Sequence, residues 1–433
     1  MPSRDSMRGA GPGSPAALHQ MNQAHVLGAV RRADLLRLGE IAELTGLSRP
    51  TVVAALDELC EAGWVCYADD GPPGRQRVGR PARVVRFRSE AGFVVGIDVG
   101  AHTTEVVIAN LDGAPVATAH QSTAEAHDRT QLLSVIRATV HDALARSQIS
   151  RSSVMSVAVG SPGIVNLDER TVVHAPSLPG WASINLAKEL RSSFRAPVLV
   201  ENDVNLAVLA ECWRGAASPT KNVVFVLWGE RVGAGIFIEG RLHRGHAGAA
   251  GELGYLSVLE PDGEAAADHD GLGPFERAVG SRAIVAMARA EASRRPTRTS
   301  RLAVTSPELD ALEVFRAADA GDRAARRVVD AVIARFARGL APLLLLLDPD
   351  MVVIGGRLAG AGDAMFDALR AGVHRLCLVN TQIERSLLGE DAVAIGAVRL
   401  ALSDVEERLL PRVESTGPPR WAPTVEHRAE ARA

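Results

Sequence analysis

The chain has 433 residues and a formal net charge of −3 at pH 7, with 47% hydrophobic and 23% charged residues. This balance excludes a largely disordered chain, and it excludes a polycation that grips nucleic acid over its whole surface. The length allows two to four domains. Of the 48 basic residues, only Lys188 and Lys221 are lysines, which indicates the codon usage of a GC-rich genome before it indicates function. The four cysteines, Cys60, Cys66, Cys212 and Cys377, form no C-x-x-C and so give neither a zinc spacing nor a disulfide framework. A reducing cytoplasm is the expected home. The N-terminus carries no signal-peptide apolar region. The longest apolar run, 340–347, falls short of the roughly 20 residues that span a bilayer.

In chain order, residues 1–17 are rich in Gly, Pro, Ser and Ala and are expected to be a disordered tail. Residues 18–90 read as a DNA-binding module. A helix over 18–31 buries Val26, Leu27 and Val30. A short helix over 39–45 carries Ile41 and Leu44, and Gly46 breaks it. Ser48 can cap a third helix, with Pro50 tolerated in its first turn. That helix is expected to bury Val52, Val53, Leu56 and Leu59 and to expose Arg49, Pro50, Thr51 and Ala55.

Helix, turn and helix in this order place the N-terminal end of the second helix in a major groove. Ser48, Arg49, Pro50 and Thr51 are therefore the candidate DNA contacts. Trp64 and Val65 begin a strand, and VVRF over 84–87 returns it. Between and beyond them, residues 71–88 hold six arginines and no acid. This reads as a wing that grips phosphate or the minor groove through Arg75, Arg77 and Arg80. The competing reading is a small protein-interaction domain whose arginines only solvate a hairpin.

From Phe93 onward strands alternate with helices. The strands are VVGIDVG, TTEVVIAN, a third strand after the turn LDG, SVMSVAVG, PVLVEND, VVFVLWG, GAGIFIEG and MVVIGG, and a long helix runs over about 322–346. This is an α/β pattern. Two glycine-bearing hairpins, near Gly100 and Gly233, hint at a duplicated, two-lobed architecture. Residues 91–405 are read as one ligand-sensing domain, and 406–433 as a second tail without periodicity.

The string of motifs is the helix–turn–helix, GRP in the wing, VGIDVG, SPGIVN, LPGW, VENDVN, GAGIFIEGRLHRG, GELG, PFE, DPDMVVIGG and AVAIGAVRLA. In that order over about 20–405, it resembles the ROK family (repressors, open reading frames and kinases), in its xylose-repressor-like branch. The resemblance implies a winged helix–turn–helix followed by a two-lobed, actin-like (ribonuclease-H-like) α/β domain. It implies a sugar in the cleft, an operator on double-stranded DNA, and a homodimer or homotetramer.

It also assigns residues. Asn202 and Asp203 correspond to the family's sugar-binding pair, Asp203 being the base in a kinase. Glu252 and Glu276 correspond to its sugar-contacting glutamates, and Gly163 would bring backbone close to the ring. The alternative for Asn202 and Asp203 is ordinary helix capping, and for Glu252 it is a solvated turn.

Three departures shape the expected function. The kinases' first loop resembles D-x-G-G-T, and here Asp98 is followed by Val99, Gly100, Ala101 and His102. Their second loop resembles G-T-G-x-G, and here it reads Gly229, Glu230, Arg231, Val232 and Gly233. A carboxylate opposes polyphosphate, and the glycine that let backbone amides approach phosphate is gone. Finally, Tyr255 stands where the family has a histidine that touches the sugar and binds zinc, which makes it the sixth candidate ligand contact. The segment 267–274, ADHDGLGP, has no cysteine where the family has three. Asp268 and His269 do not replace those ligands. His243 and His246 are expected in a solvated loop.

The expectation is a DNA-binding repressor of carbohydrate metabolism, without ATP turnover and without zinc or another cofactor. The alternatives are an active ATP-dependent sugar kinase with a DNA-binding head, or a regulator answering to a non-sugar ligand or a protein partner.

Overall fold

The computed structural model describes residues 14–33, 35–68, 84–178, 180–257, 271–294 and 309–409. Arg75, Arg77 and Arg80 of the expected wing lie outside the described residues, as do Asp268, His269 and the greater part of both expected tails. The chain divides into two compact units, one up to Arg88 together with residues from Glu406 onward, the other Ser89–Val405.

The first unit contains α1 (Pro15–Arg31), β1 (Leu36–Arg37), α2 (Leu38–Thr45), α3 (Arg49–Glu61), β2 (Val65–Ala68) and β3 (Val84–Phe87). Each boundary has a local cause. The Ser14 hydroxyl caps α1 by accepting from Ala17 N, and Pro15 occupies its first turn. Gly46 ends α2 at φ +68°, a conformation a residue with a Cβ adopts only at a cost. The Ser48 hydroxyl accepts from Thr51 N at 3.3 Å and starts α3.

The strands form an antiparallel sheet in the order β1-β3-β2. The three helices and the strand pair make a winged helix–turn–helix. Its core holds Val26, Val30, Ile41, Val52, Leu56 and Val85, all at or near zero exposure.

The sequence reading of α3 exchanges two residues, expecting Val53 inside and Ala55 outside. Ala55 is 2% exposed, while Val53 is 37% exposed and Ala54 is exposed. The face that packs on α1 and α2 takes Val52, Ala55, Leu56 and Leu59. A small alanine lets the helices approach, and the larger valine is turned to solvent. Leu44 is also exposed.

The second unit holds two five-stranded sheets. The first comes from β4 (Phe93–Val99), β5 (Thr103–Asn110), β6 (Pro115–Ser122), α4 (Arg129–Ser147), β7 (Val154–Ser161), the hairpin β8 (Ile164–Asn166) and β9 (Thr171–His174), α5 (Leu186–Glu189) and β10 (Val198–Asn202). The second follows α6 (Asp203–Arg214). It comes from β11 (Val223–Trp228), β12 (Val232–Ile238), β13 (Arg241–His243), α7 (Pro274–Val279), α8 (Ser281–Arg294), α9 (Ala311–Asp319), α10 (Arg323–Leu347), β14 (Met351–Gly355), α11 (Asp363–His374) and β15 (Gln382–Arg385). The chain then enters α12 (Ala392–Leu409).

The sheet orders are β10-β7-β4-β5-β6 and β13-β12-β11-β14-β15. Numbered within its own lobe, each sheet reads 3-2-1-4-5 or its reverse. In each, strands 1 to 3 are an antiparallel meander, and strands 4 and 5 run parallel to strand 1. The duplication hinted at by the glycine hairpins is thus a duplication of topology.

The first lobe's core packs Val95, Ile97, Val106 and Ile108 of its sheet against Leu132, Ile136 and Val140 of α4. The second lobe's core is centred on Trp228 stacked on Phe336, with ring centroids 3.8 Å apart. Two helices join the lobes. α6 leaves β10 and packs on β11 and β12 of the other sheet. α12 crosses α6 so closely that a Cβ on Gly396 would lie 1.9 Å from the Leu206 carbonyl oxygen.

Candidate functional site

The two lobes enclose a cavity of about 820 Å³, lined on one side by Gly163, His174, Asn202 and Asp203 and on the other by Gly233, Glu252, Tyr255 and Glu276. All six residues that the sequence singles out as sugar-binding therefore meet here. They arrive from both lobes, because the turn between β7 and β8 brings Gly163, β10 and α6 bring Asn202 and Asp203, the turn at Leu253–Tyr255 brings Glu252 and Tyr255, and α7 brings Glu276.

Asn202 does two things at once. Its Oδ1 caps α6 by accepting from Asn205 N at 3.0 Å. Its Nδ2 donates to the Gly163 carbonyl at 3.0 Å, tying the helix start to the β8–β9 hairpin. Gly163 has φ +91°, and a Cβ there would lie 1.8 Å from the His174 carbonyl oxygen. The glycine is required by the hairpin itself, which is a different reason from the one the sequence offered.

The carboxylates are unusual. Asp203 is pushed up to about 6, first by burial, against backbone hydrogen bonds that hold it down, including one from Val204 N. Glu252 is pushed up to about 7, first by burial and then by the charges of Asp203 and Glu276. Asp98 at the end of β4 is held well above the usual carboxylate range, again by burial and then by Asp203 and Glu105. Burial without a cation leaves these groups eager to keep a proton or to receive hydrogen-bond donors. Paired hydroxyls of a polyol are donors of that kind.

Glu276 is different. One oxygen accepts from Val232 N at 2.9 Å and the other from Gly273 N at 2.8 Å. It therefore pins β12 to the start of α7, and its side chain is 5% exposed. Tyr255 hydroxyl lies 3.1 Å from His174 Nε2 and donates to the Gly271 carbonyl at 3.4 Å. The tyrosine and histidine rings meet edge-on across the mouth of the cleft.

Sequence reasoning missed three residues here. His174 was unremarked in its strand. Glu201 was passed over beside Asn202, although it is 2% exposed. It accepts from Asn202 N, Asn205 Nδ2 and Arg244 Nε, the last at 2.6 Å. Arg244 lies between His243 and Gly245, and its only signal was its place in the HRG motif. His243 and His246 are both exposed, but only His246 lies in a loop as expected, since His243 is the last residue of β13.

A second cavity, of about 600 Å³, lies beyond the Gly229–Gly233 loop and includes Glu230, Arg231, Arg282, Asp310 and Arg357. Four of its charged residues form two pairs. Glu230 pairs with Arg282, and Arg357 pairs with Asp310 at 2.7 Å. Arg231 donates to the Gly271 carbonyl at 2.7 Å and lies 3.5 Å from Glu276. Among the described residues, no group of three or more His, Cys, Asp or Glu side chains is placed to hold a metal ion. No described helix is long and apolar enough to cross a membrane.

In the first unit, Arg49 and Pro50 stand exposed at the start of α3, and Thr51 is half-buried. Ser48 is occupied by capping, and its hydroxyl also meets that of Thr51 at 2.8 Å.

Comparison with known proteins bears on both units. A model of the ROK family matches residues 94–404, and a model of the MarR family matches residues 19–76. The xylose repressor of Caldicellulosiruptor bescii is 24% identical over 397 residues, covering 91% of this chain and 98% of that protein. The glucokinase of Halalkalibacterium halodurans is 29% identical over 311 residues, covering 70% of this chain and 93% of that protein. Among solved structures, a ROK family transcriptional regulator described as a homolog of the E. coli MLC protein superposes with a TM-score of 0.74. It is 21% identical over 91% of this chain and 98% of that one, a likeness of fold.

Proposed function

The chain belongs to the ROK family, and from that premise we propose that it is a transcriptional repressor whose grip on operator DNA is set by a sugar or sugar derivative held between its lobes. The observation that carries this reading is the joining, in one chain, of a helix–turn–helix unit to a cleft where Asn202, Asp203 and Glu252 converge. The similarity to a xylose repressor along nearly its whole length supports it. The similarity to the glucokinase covers a smaller share, 70%, of this chain.

A ligand that touches both lobes stabilises one lobe arrangement over the other. Operator affinity then changes by as much as the ligand's affinities for the two states differ. Paired half-sites on DNA call for a two-fold assembly, so the working species is a homodimer or a homotetramer built from dimers. Its place is the cytoplasm, with the DNA.

Kinase chemistry is absent in this reading. Phosphoryl transfer depends on positioning a polyphosphate and its metal. Here Glu230 sits in the loop that would receive phosphate, and Arg231 is committed to the Gly271 carbonyl. Zinc does not fit either. Tyr255 cannot replace an imidazole ligand, and no cysteine lies between Tyr255 and Glu276. Tyr255, hydrogen-bonded to His174 and Gly271, braces that side of the cleft by itself.

The test is capture of genomic DNA fragments by the purified protein at physiological salt, with and without a panel of sugars. Sharp palindromic sites released by one sugar support the proposal, and diffuse capture without a motif defeats it. One observation favours a second reading, an active sugar kinase: Asp98, buried at the end of β4, lies close enough to Asp203 for that charge to raise its proton affinity. Sugar-dependent ADP release by the intact chain would establish that reading instead.

A further inference from the structure

We propose that α3 reads thymine in the operator through its methyl groups, using Val53 and Ala54, and that Arg49 is the one side chain on this face that hydrogen-bonds base edges. This rests on the DNA-binding reading above and names the DNA chemistry that the same helix takes.

Residues 49, 50, 53 and 54 form one stripe along a helix, two pairs spaced four apart. All four are exposed. Val53 is a β-branched residue turned to water while its neighbour Ala55 is packed inside, so the helix spends its larger apolar group on the outside. The polar groups near this stripe are occupied. The Ser48 and Thr51 hydroxyls bond to each other, and Ser48 also holds Thr51 N. Further along the helix, Asp57 accepts from the Tyr67 hydroxyl at 3.3 Å. Glu58 accepts from His19 and Gln23 of α1.

The helix is therefore cationic and apolar over its first two turns and acidic afterwards. Phosphates on either side of a groove admit the first part and repel the second, which fixes the N-terminal end as the part that enters. In the sequence, six arginines and no acid follow over residues 71–88, a composition that suits a DNA-binding module.

The floor of the major groove carries a single apolar feature, the 5-methyl group of thymine. Pro50, Val53 and Ala54 can make favourable contact only with that. Arg49 suits the paired acceptors of guanine. The operator half-site should then hold one or two thymines in a fixed step from a guanine.

The experiment uses the full chain and a duplex recovered by genomic capture. Each thymine is replaced in turn by deoxyuridine, which lacks only the methyl group, and affinity is read by fluorescence anisotropy at constant salt. About fourfold weakening is expected at one or two thymines in each half-site, the effect of one methyl group left unburied, with none elsewhere. Because deoxyuridine also alters duplex flexibility, the series is repeated with Val53→Ser and Ala54→Ser, both at exposed positions. The deoxyuridine effect should shrink towards one at the thymine facing the altered residue.

Sequence-specific binding that is indifferent to deoxyuridine at every thymine would overturn the inference and leave the repressor reading standing. So would a deoxyuridine effect equal in all three proteins. Failure to bind any duplex above the non-specific level would overturn the repressor reading and this inference with it.

Discussion

Arg244 Nε donates to Glu201 Oε2 over 2.6 Å, joining the loop after β13 in one lobe to the last strand of the other lobe's sheet. Glu201 is 3% exposed along its side chain, and Arg244 is about one-third exposed. The same carboxylate holds Asn205 Nδ2 and Asn202 N, so it orients the start of α6 where Asn202 and Asp203 enter the cleft. Removing Arg244 leaves a buried charge with only neutral donors. Arg244→Ala should therefore lower stability by about 3 kcal/mol in denaturant unfolding. Arg244→Ala combined with Glu201→Gln should cost less than the sum of the two single changes. Strict additivity would show that the pair does not couple the lobes.

Glu252 makes stability depend on pH in a direction opposite to that of an ordinary salt-bridged carboxylate. Its folded value of about 7 lies above its usual 4.5. The folded chain therefore binds more protons than the unfolded chain between those values. Its contribution to stability is fully present below about pH 4.5 and is lost as pH rises through 7. Asp203, raised from 3.8 to about 6, acts in the same sense over a lower window. Stability measured by denaturant from pH 5 to pH 7 should thus fall in the wild type more steeply than in Glu252→Gln. The difference in slope should approach about 1.4 kcal/mol per pH unit. Equal slopes would show that Glu252 is not proton-linked to folding.

Much of this arrangement could be read from the chain, because its carriers are short-range. Gly46, Ser48 and Pro50 set the turn of the DNA-binding unit through backbone conformation and capping, which depend on neighbours alone. Most strands of both sheets could be read from their apolar runs, but β13 (Arg241–His243) and β15 (Gln382–Arg385), short and largely polar, could not. The face of α3 could not, since Val52, Val53, Ala55 and Leu56 are all apolar enough to be buried. The choice among them is made by α1 and α2, which lie elsewhere in the sequence. The same holds for the cleft. Asn202, Asp203 and Glu252 were marked by motif, but His174 and Arg244 matter through partners 81 and 43 residues away. Glu276 was marked as a ligand contact, and its two backbone bonds show a pinning role that no local pattern reports.

Asn202 separates capping from recognition. A serine there keeps an oxygen for Asn205 N but has no amide to reach the Gly163 carbonyl. Asn202→Ser should cost about 1 kcal/mol of stability, one ordinary hydrogen bond, because serine is as good a cap as asparagine. Asn202→Ala should cost about twice that. If Asn202 also touches the effector, both variants should weaken effector binding at least about tenfold in calorimetry, well beyond their effect on folding. Unchanged effector affinity in Asn202→Ser would leave Asn202 as a cap and a tie for the hairpin, and nothing more.

Arg231 decides whether the loop after β11 could have kept a phosphate-binding role. Its guanidinium donates to the Gly271 carbonyl and lies against Glu276, while its neighbour Glu230 is paired with Arg282. An arginine so held is a brace between β12 and the segment leading into α7. A glycine in its place would free the loop but leave the Glu230 carboxylate facing any incoming polyphosphate. Arg231→Gly should therefore weaken effector binding and lower the melting temperature by a few degrees, through loss of one charge-assisted hydrogen bond worth about 2 kcal/mol. It should not create sugar-dependent ADP release, and the wild type should show none. For the same reason, magnesium and ATP together should leave the wild-type melting temperature unchanged. If the contacts of the Tyr255 hydroxyl with His174 and Gly271 are what brace the cleft, prolonged chelation should leave effector affinity unchanged. Turnover of ATP by the wild type, or loss of effector affinity on chelation, would show that these side chains do not hold the cleft in the way their contacts imply.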